Sequence, residues 1–134
     1  MDIKEQYTGS ILVIGDEILS GRTQDTNSNH IAKKMTEIGI NISDIRVIPD
    51  NKEIIIESIN ELRKKTDYLF TTGGIGPTHD DITAESVAFA FGVEININQE
   101  AFDILKDYYD GIGSTFNEAR QRMARIPAGA TLID

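Results

Sequence analysis

The chain has 134 residues, with 13 Lys+Arg against 22 Asp+Glu and no cysteine. That length suits one domain with a real core. A net charge of −9 argues against nucleic acid as a partner, and the missing cysteine excludes disulfides and thiolate metal sites. No apolar run approaches the ~20 residues of a membrane span, and the polar, acidic start Met1 to Gln6 is unlike a secretion signal. The expected setting is therefore cytoplasmic, with no membrane partner.

Ser10 to Gly15 carries a continuous aliphatic run, the pattern of a strand buried on both faces of a parallel sheet. It stops at Gly15-Asp16-Glu17. A glycine and two acids at the end of a first buried strand face a ligand in an α/β fold, or form an ordinary polar loop; for Glu17 the two readings are even. The loop runs on to Asn27, and Asp25, Thr26 or Asn27 can cap the next helix. That helix shows Ile31, Met35 and Ile38 on one face and ends at Gly39, with His30 read as a surface residue. Ile42 to Ile48 reads as a second strand, closed by Pro49-Asp50. Asp50 and Glu53 fit a capping box for a helix with Ile55, Ile56, Ile59 and Leu62 on its apolar face.

The chain is organised around the stretch from Leu69 to Asp81. Tyr68 to Phe70 is a short apolar strand. Then follow Thr71-Thr72-Gly73-Gly74-Ile75-Gly76-Pro77-Thr78-His79-Asp80-Asp81. Three glycines in four residues force a turn and let backbone approach a ligand closely. Amides in such a loop favour an anion, phosphate being the common one. Asp80 and Asp81 would repel it unless a divalent cation bridges carboxylate and phosphate. A tight turn, with Asp81 as a helix cap, is the purely structural alternative. Ala84, Val87, Ala88 and Phe91 then mark one helical face.

Gly92 ends that helix. Val93, Ile95 and Ile97 alternate with polar residues, as in an edge strand, and Asn98 can cap a helix carrying Phe102, Leu105 and Tyr109. Beyond Gly111-Ile112-Gly113, a further helical face holds Phe116, Ala119 and Met123. Arg120, Arg122 and Arg125 beside it read as a solvated basic face, with a clamp on substrate phosphate as the alternative. Pro127-Ala128-Gly129 turns the chain, and Ala130 to Ile133 is expected to begin another strand. This alternation of strands and helices predicts a mainly parallel sheet with helices on both faces. Asp16, Asp50 and Asp81 then follow strand ends on one side, where open α/β sheets bind ligands.

Gly15-Asp16-Glu17-Ile18-Leu19-Ser20-Gly21-Arg22, Asp25-Thr26-Asn27 and Thr71 to Thr83 together resemble the N-terminal domain of the CinA family of competence/damage-inducible proteins. That domain lies in the molybdopterin-binding superfamily of MoaB, Mog, MoeA and gephyrin. The resemblance runs from Ile11 to Ile133. It implies a three-layer α/β/α sandwich of the MoaB/Mog type, expected as a single domain over 1–134. Relatives continue into an Asn-Pro-x-Gly loop, and many into an amidohydrolase domain. This chain ends at Asp134, so the domain is expected to lack its C-terminal part.

By the same resemblance, Asp81 matches a loop aspartate implicated in catalysis in Mog-type proteins. Asp50 matches a second acidic position, and Asp16 borders the same pocket. Thr72, Gly73, Gly74 and Gly76 belong to the ligand loop, with Asp25 and Asn27 as further ligand-binding candidates. The CinA branch is associated with metal-dependent hydrolysis of dinucleotide pyrophosphates such as ADP-ribose; the Mog and MoeA branches act on molybdopterin. The expected function is hydrolysis of such a nucleotide with Mg²⁺ or a similar ion held by Asp81, Asp50 and Asp16. The alternatives are a non-catalytic module binding molybdopterin or a nucleotide, and a domain that mainly drives oligomerisation. A homo-oligomer, dimer or trimer, is expected, with its interface on Val93 to Ile97 and the Phe102–Tyr109 helix.

Overall fold

The computed structural model describes residues 6–133; residues 1–5, which carry most of the polar start, lie outside the described residues, as does Asp134. The chain forms two compact units, Met1–Gly73 and Gly74–Asp134. No helix among the described residues is long and apolar enough to cross a membrane.

The first unit is built on strand β1 (Tyr7–Ile14). It lies between β2 (Ile40–Ile48) and β3 (Tyr68–Thr72), parallel to both, in the order β2-β1-β3. A strand with neighbours on both edges has no free ladder groups, and its aliphatic side chains fill both faces. Ser10, Ile11, Leu12, Val13 and Ile14 are all buried. The Ser10 hydroxyl shares a 2.7 Å hydrogen bond with that of Thr66, so its burial leaves no polar atom stranded. β2, at the edge, is only half-buried and carries its charges outward, with Asp44 paired to Lys65 and Arg46 to Glu61. The fold is thus mixed α/β with a parallel three-stranded sheet, as the alternation of elements predicts.

Three helices complete this unit: α1 (Asp16–Leu19), α2 (Asn27–Glu37) and α3 (Lys52–Lys65). The short α1 occupies a stretch expected to be loop. Thr26 holds the N-cap position of helix α2 without a side-chain bond, and it is the preceding Asp25 that accepts the Ser28 amide at 3.1 Å and the Ser28 hydroxyl. Helix α3 buries Ile55, Ser58, Ile59 and Leu62 and packs against β1 and β3.

The cap of α3 is a correction. It is Asn51, whose side chain accepts the Ile54 amide at 3.1 Å, and not Asp50. Both residues satisfy a capping pattern; the carboxylate of Asp50 is engaged by a different backbone group, described below. Asn51→Ala is therefore expected to cost about 0.5–2 kcal/mol. A urea midpoint unmoved by Asn51→Ala would return the cap to Asp50.

The second unit contains α4 (Thr83–Ala90), β4 (Ile95–Ile97), α5 (Gln99–Gly111), α6 (Glu118–Gln121), a 3-10 turn (Arg122–Ala124) and β5 (Arg125–Pro127). Helix α4 buries Thr83, Ser86 and Ala88 and not Phe91, which is 52% exposed at its end. Asn98 caps α5 as expected, accepting the Ala101 amide at 2.8 Å. β4 pairs antiparallel with β5. The last strand is therefore Arg125–Pro127, and residues 130–133, expected to begin a strand, form none. Pro127 donates no bond, and the Ala128 amide just beyond it donates to the Glu94 carbonyl at 2.7 Å. Phe102, Tyr109 and Phe116 pack on one another, with ring centroids 5.0 and 5.7 Å apart, and the Arg120 guanidinium lies 4.4 Å from the Tyr109 ring centre.

Candidate functional site

In the first unit the acidic candidates Asp16 and Asp50 follow the carboxyl ends of β1 and β2. β1 ends at Ile14, and the Gly15 amide donates to the Ile48 carbonyl at 3.0 Å, extending the β1–β2 ladder by one bond. The chain then turns into α1. Here the Asp16 amide donates to Asp50 Oδ2 at 3.1 Å, and the Asp50 amide donates to Asp16 Oδ1 at 3.2 Å. Each carboxylate is held by the other's backbone. Each carboxylate thus has an N–H donor from the other residue. This clasp is what draws Asp50 away from the α3 cap. Glu17 folds back over Gly15 and is half-buried.

Thr72 ends β3 opposite Val13 of β1. Gly73 follows with φ +89°, and a Cβ there would collide with the Ile14 carbonyl oxygen. Contact with β1 by itself requires glycine at this position. The order β2-β1-β3 means that the chain leaves β1 to one side and returns on the other. The ends of β1 and β3 therefore flank the switch point, where open sheets present ligand sites.

In the second unit the glycine loop continues through Gly74, at φ +67°, to Gly76. Asp81 closes it: Oδ2 accepts the Thr78 amide and the Thr78 hydroxyl, both at 2.9 Å. A Cβ on Gly76 would lie 2.7 Å from that same oxygen. Asp81 is thus not the cap of α4, whose N-cap position is Ile82, with no side-chain cap bond. The carboxylate organises the loop and still lines a cavity of about 150 Å³. Gly74, Ile75 and Gly76 form one side of this cavity, and Ala84 and Glu85 of α4 border it. Ile95, Arg122, Met123, Arg125 and Ile126 complete the lining.

The structure therefore brings Asp16 and Asp50 together in the first unit and places Asp81 on its own loop in the second. Among the described residues no group of three or more His, Asp or Glu forms a metal-binding cluster. Asp25 is engaged with Ser28 and borders a polar recess that also includes Gln24, Thr26, Asn29, His30 and Lys33. Asn27 is exposed at the start of α2. The basic triplet divides: Arg120 sits on Tyr109 and donates to the Thr115 carbonyl at 2.7 Å, whereas Arg122 and Arg125 line the cavity. Glu85 was not singled out in the sequence. Its only signal was a place one turn into a helix that follows a glycine loop.

A parallel three-stranded sheet with an acidic turn at its carboxyl edge gives the first unit an α/β architecture. The chain belongs to the family described as "probable molybdopterin binding domain", whose model matches residues 10–130. It is 40% identical over 124 residues to a CinA-like protein of Citrifermentans bemidjiense, covering 92% of this chain but 30% of that protein. The structure of CinA from Thermoplasma acidophilum, described as of unknown function, superposes with a TM-score of 0.87 at 30% identity, over 98% of this chain and 76% of that one. The tungsten cofactor synthesizing protein MoaB from Pyrococcus furiosus shares the fold, with a TM-score of 0.62 at 22% identity over 83% of this chain and 68% of that one. The domain is CinA-like, of the MoaB/Mog type, and related to molybdenum cofactor biosynthesis proteins. The chain spans about half or less of the length of the curated relatives it matches, between 30% and 51% in the first four.

Proposed function

We propose that the domain binds a nucleotide or pterin phosphate and hydrolyses dinucleotide pyrophosphates such as ADP-ribose with a divalent metal. The observation that supports this reading best is the Asp16–Asp50 clasp at the switch-point edge of the sheet. Mg²⁺ takes one or two carboxylates and completes its shell with water and substrate phosphate. Two adjacent hard-oxygen carboxylates suit that demand, so Asp16 and Asp50 would hold the ion. Bound there, it would offset phosphoryl charge and lower the pKa of a coordinated water. The clasp presents both carboxylates in fixed positions before any ligand arrives. Asp81 is the second catalytic candidate: its carboxylate holds the loop through Thr78 and faces the cavity, where it can accept a proton.

Self-association as a dimer or trimer belongs to the same reading. Ile104, Tyr108 and Ile112 lie at spacings of four along α5 and its end, and all are more than half exposed. Such a stripe suits a symmetric contact.

Purified protein is expected to release AMP from ADP-ribose, and from FAD, in the presence of Mg²⁺ or Co²⁺, and to stop on addition of chelator. Phosphate-ester product by chromatography is the readout. Tight binding of ADP-ribose without turnover would replace the hydrolase by a non-catalytic nucleotide- or molybdopterin-binding module.

A further inference from the structure

We propose that Arg122 and Arg125 form a phosphate clamp in the cavity of the second unit. The proposal rests on the phosphorylated-ligand reading above and assigns a part of the site that the acidic residues leave unexplained. Both arginines are half-buried and line the cavity together with Gly74, Ile75 and Gly76. Neither has an ion pair among the described residues, although two acids, Asp81 and Glu85, border the same space. Arg120, by contrast, is stacked on Tyr109 and bonded to a carbonyl.

Two arginines at one cavity, with no ion pair of their own among the described residues, leave their N–H donors open to an anion. A phosphate matches the planar fork of arginine, which offers two parallel N–H donors. The local sequence explains the arrangement. Asn117 caps α6 through the Arg120 amide at 2.9 Å, and the 3-10 turn follows directly. Arg122 opens that turn and Arg125 begins β5 beside β4, so one short stretch with an antiparallel partner fixes both backbones. The cavity, at about 150 Å³, is smaller than the ~300–1,000 Å³ of a site for a whole drug-sized ligand. It suits one phosphorylated end of a ligand. The Asp81 charge is partly taken up by its two Thr78 donors. Glu85 can accept from sugar hydroxyls, a role acids play towards ribose at other phosphate sites.

The test is calorimetric titration of the whole chain with pyrophosphate, ribose 5-phosphate, ADP-ribose and adenosine. Arg122→Gln and Arg125→Gln are each expected to weaken the three phosphate ligands about 10- to 100-fold, and to leave adenosine, if it binds, unchanged. Arg122→Lys and Arg125→Lys keep the charge but lose the fork, and should fall between. Arg120→Gln removes the same charge outside the cavity and should bind pyrophosphate as the parent does. Glu85→Gln should not weaken pyrophosphate and should weaken ribose 5-phosphate. Thermal melts of each variant separate lost binding from lost fold, and the lysine variants carry the test if a glutamine variant unfolds. Parent-like affinity for pyrophosphate and ADP-ribose in both glutamine variants would overturn the clamp while leaving a nucleotide site intact. Arginine-dependent binding of pyrophosphate with no binding of ADP-ribose would uphold the clamp and remove the dinucleotide reading. A parent protein that binds no phosphate ligand overturns both.

Discussion

Gly73→Ala is expected to destabilise the protein by about 2–5 kcal/mol: roughly 1–2 for a left-handed φ with a Cβ and about 1–3 for forcing atoms into packed space. The second term should lie at its upper end, because the obstructing atom is the Ile14 carbonyl oxygen. Backbone in the middle strand of a sheet cannot step aside without breaking its ladder. Against a total stability of ~5–15 kcal/mol, such a loss is severe. Urea unfolding should show a lowered midpoint at an unchanged slope. Gly21→Ala supplies the comparison, since its φ is +78° but nothing lies within 4 Å of the added Cβ. It should lose only the conformational share, about 1–2 kcal/mol. Equal losses at the two positions would show that φ alone sets the cost and that the contact with β1 is slack.

Asp50→Asn should leave stability within about 1 kcal/mol and reduce turnover by about 100-fold or more. The amide oxygen of asparagine can still accept the Asp16 N–H, and the α3 cap is untouched because it belongs to Asn51. What disappears is the charge. Asp81→Asn should behave likewise, keeping its acceptor for Thr78 while losing the carboxylate. Asp44→Asn is the control: it breaks only the surface pair with Lys65, worth at most ~1 kcal/mol, and should retain turnover and the response to Mg²⁺. Wild-type rates in both Asp50→Asn and Asp81→Asn would end the metal-assisted mechanism.

Much of the fold was legible in the sequence because strong local signals agreed with the tertiary outcome. The unbroken aliphatic run of β1 could only be a strand covered on both faces, and Asn98 capped α5 as its position suggested. The misplacements have physical reasons. At Asp50-Asn51 two adjacent residues could each cap α3, and a partner 34 residues away decided between them. No local pattern reports such a bond. The expected strand at 130–133 failed because the antiparallel partner of β4 lies earlier, at Arg125–Pro127. The glycine loop was readable as a special turn, but the reasons for individual glycines were not. Gly73 answers to Ile14, and Gly76 to Asp81. Arg122 and Arg125 could not be told from Arg120 until α6 gave way to a 3-10 turn and changed their directions.

The middle position of β1 also bears on how this sheet assembles. Its two partners come from later in the chain, and contacts such as that between Thr8 and Asp67 join residues 59 apart in sequence. Parallel pairing of this kind closes large loops before it gains contacts, and slows folding. During synthesis β1 and β2 can pair once α2 is made, but one edge of β1 stays uncovered until β3 has emerged. In that interval the most apolar strand of the chain offers an open ladder to any other strand nearby. Crowding of nascent chains, rather than instability of the finished sheet, is therefore the point at which this protein is most exposed to aggregation.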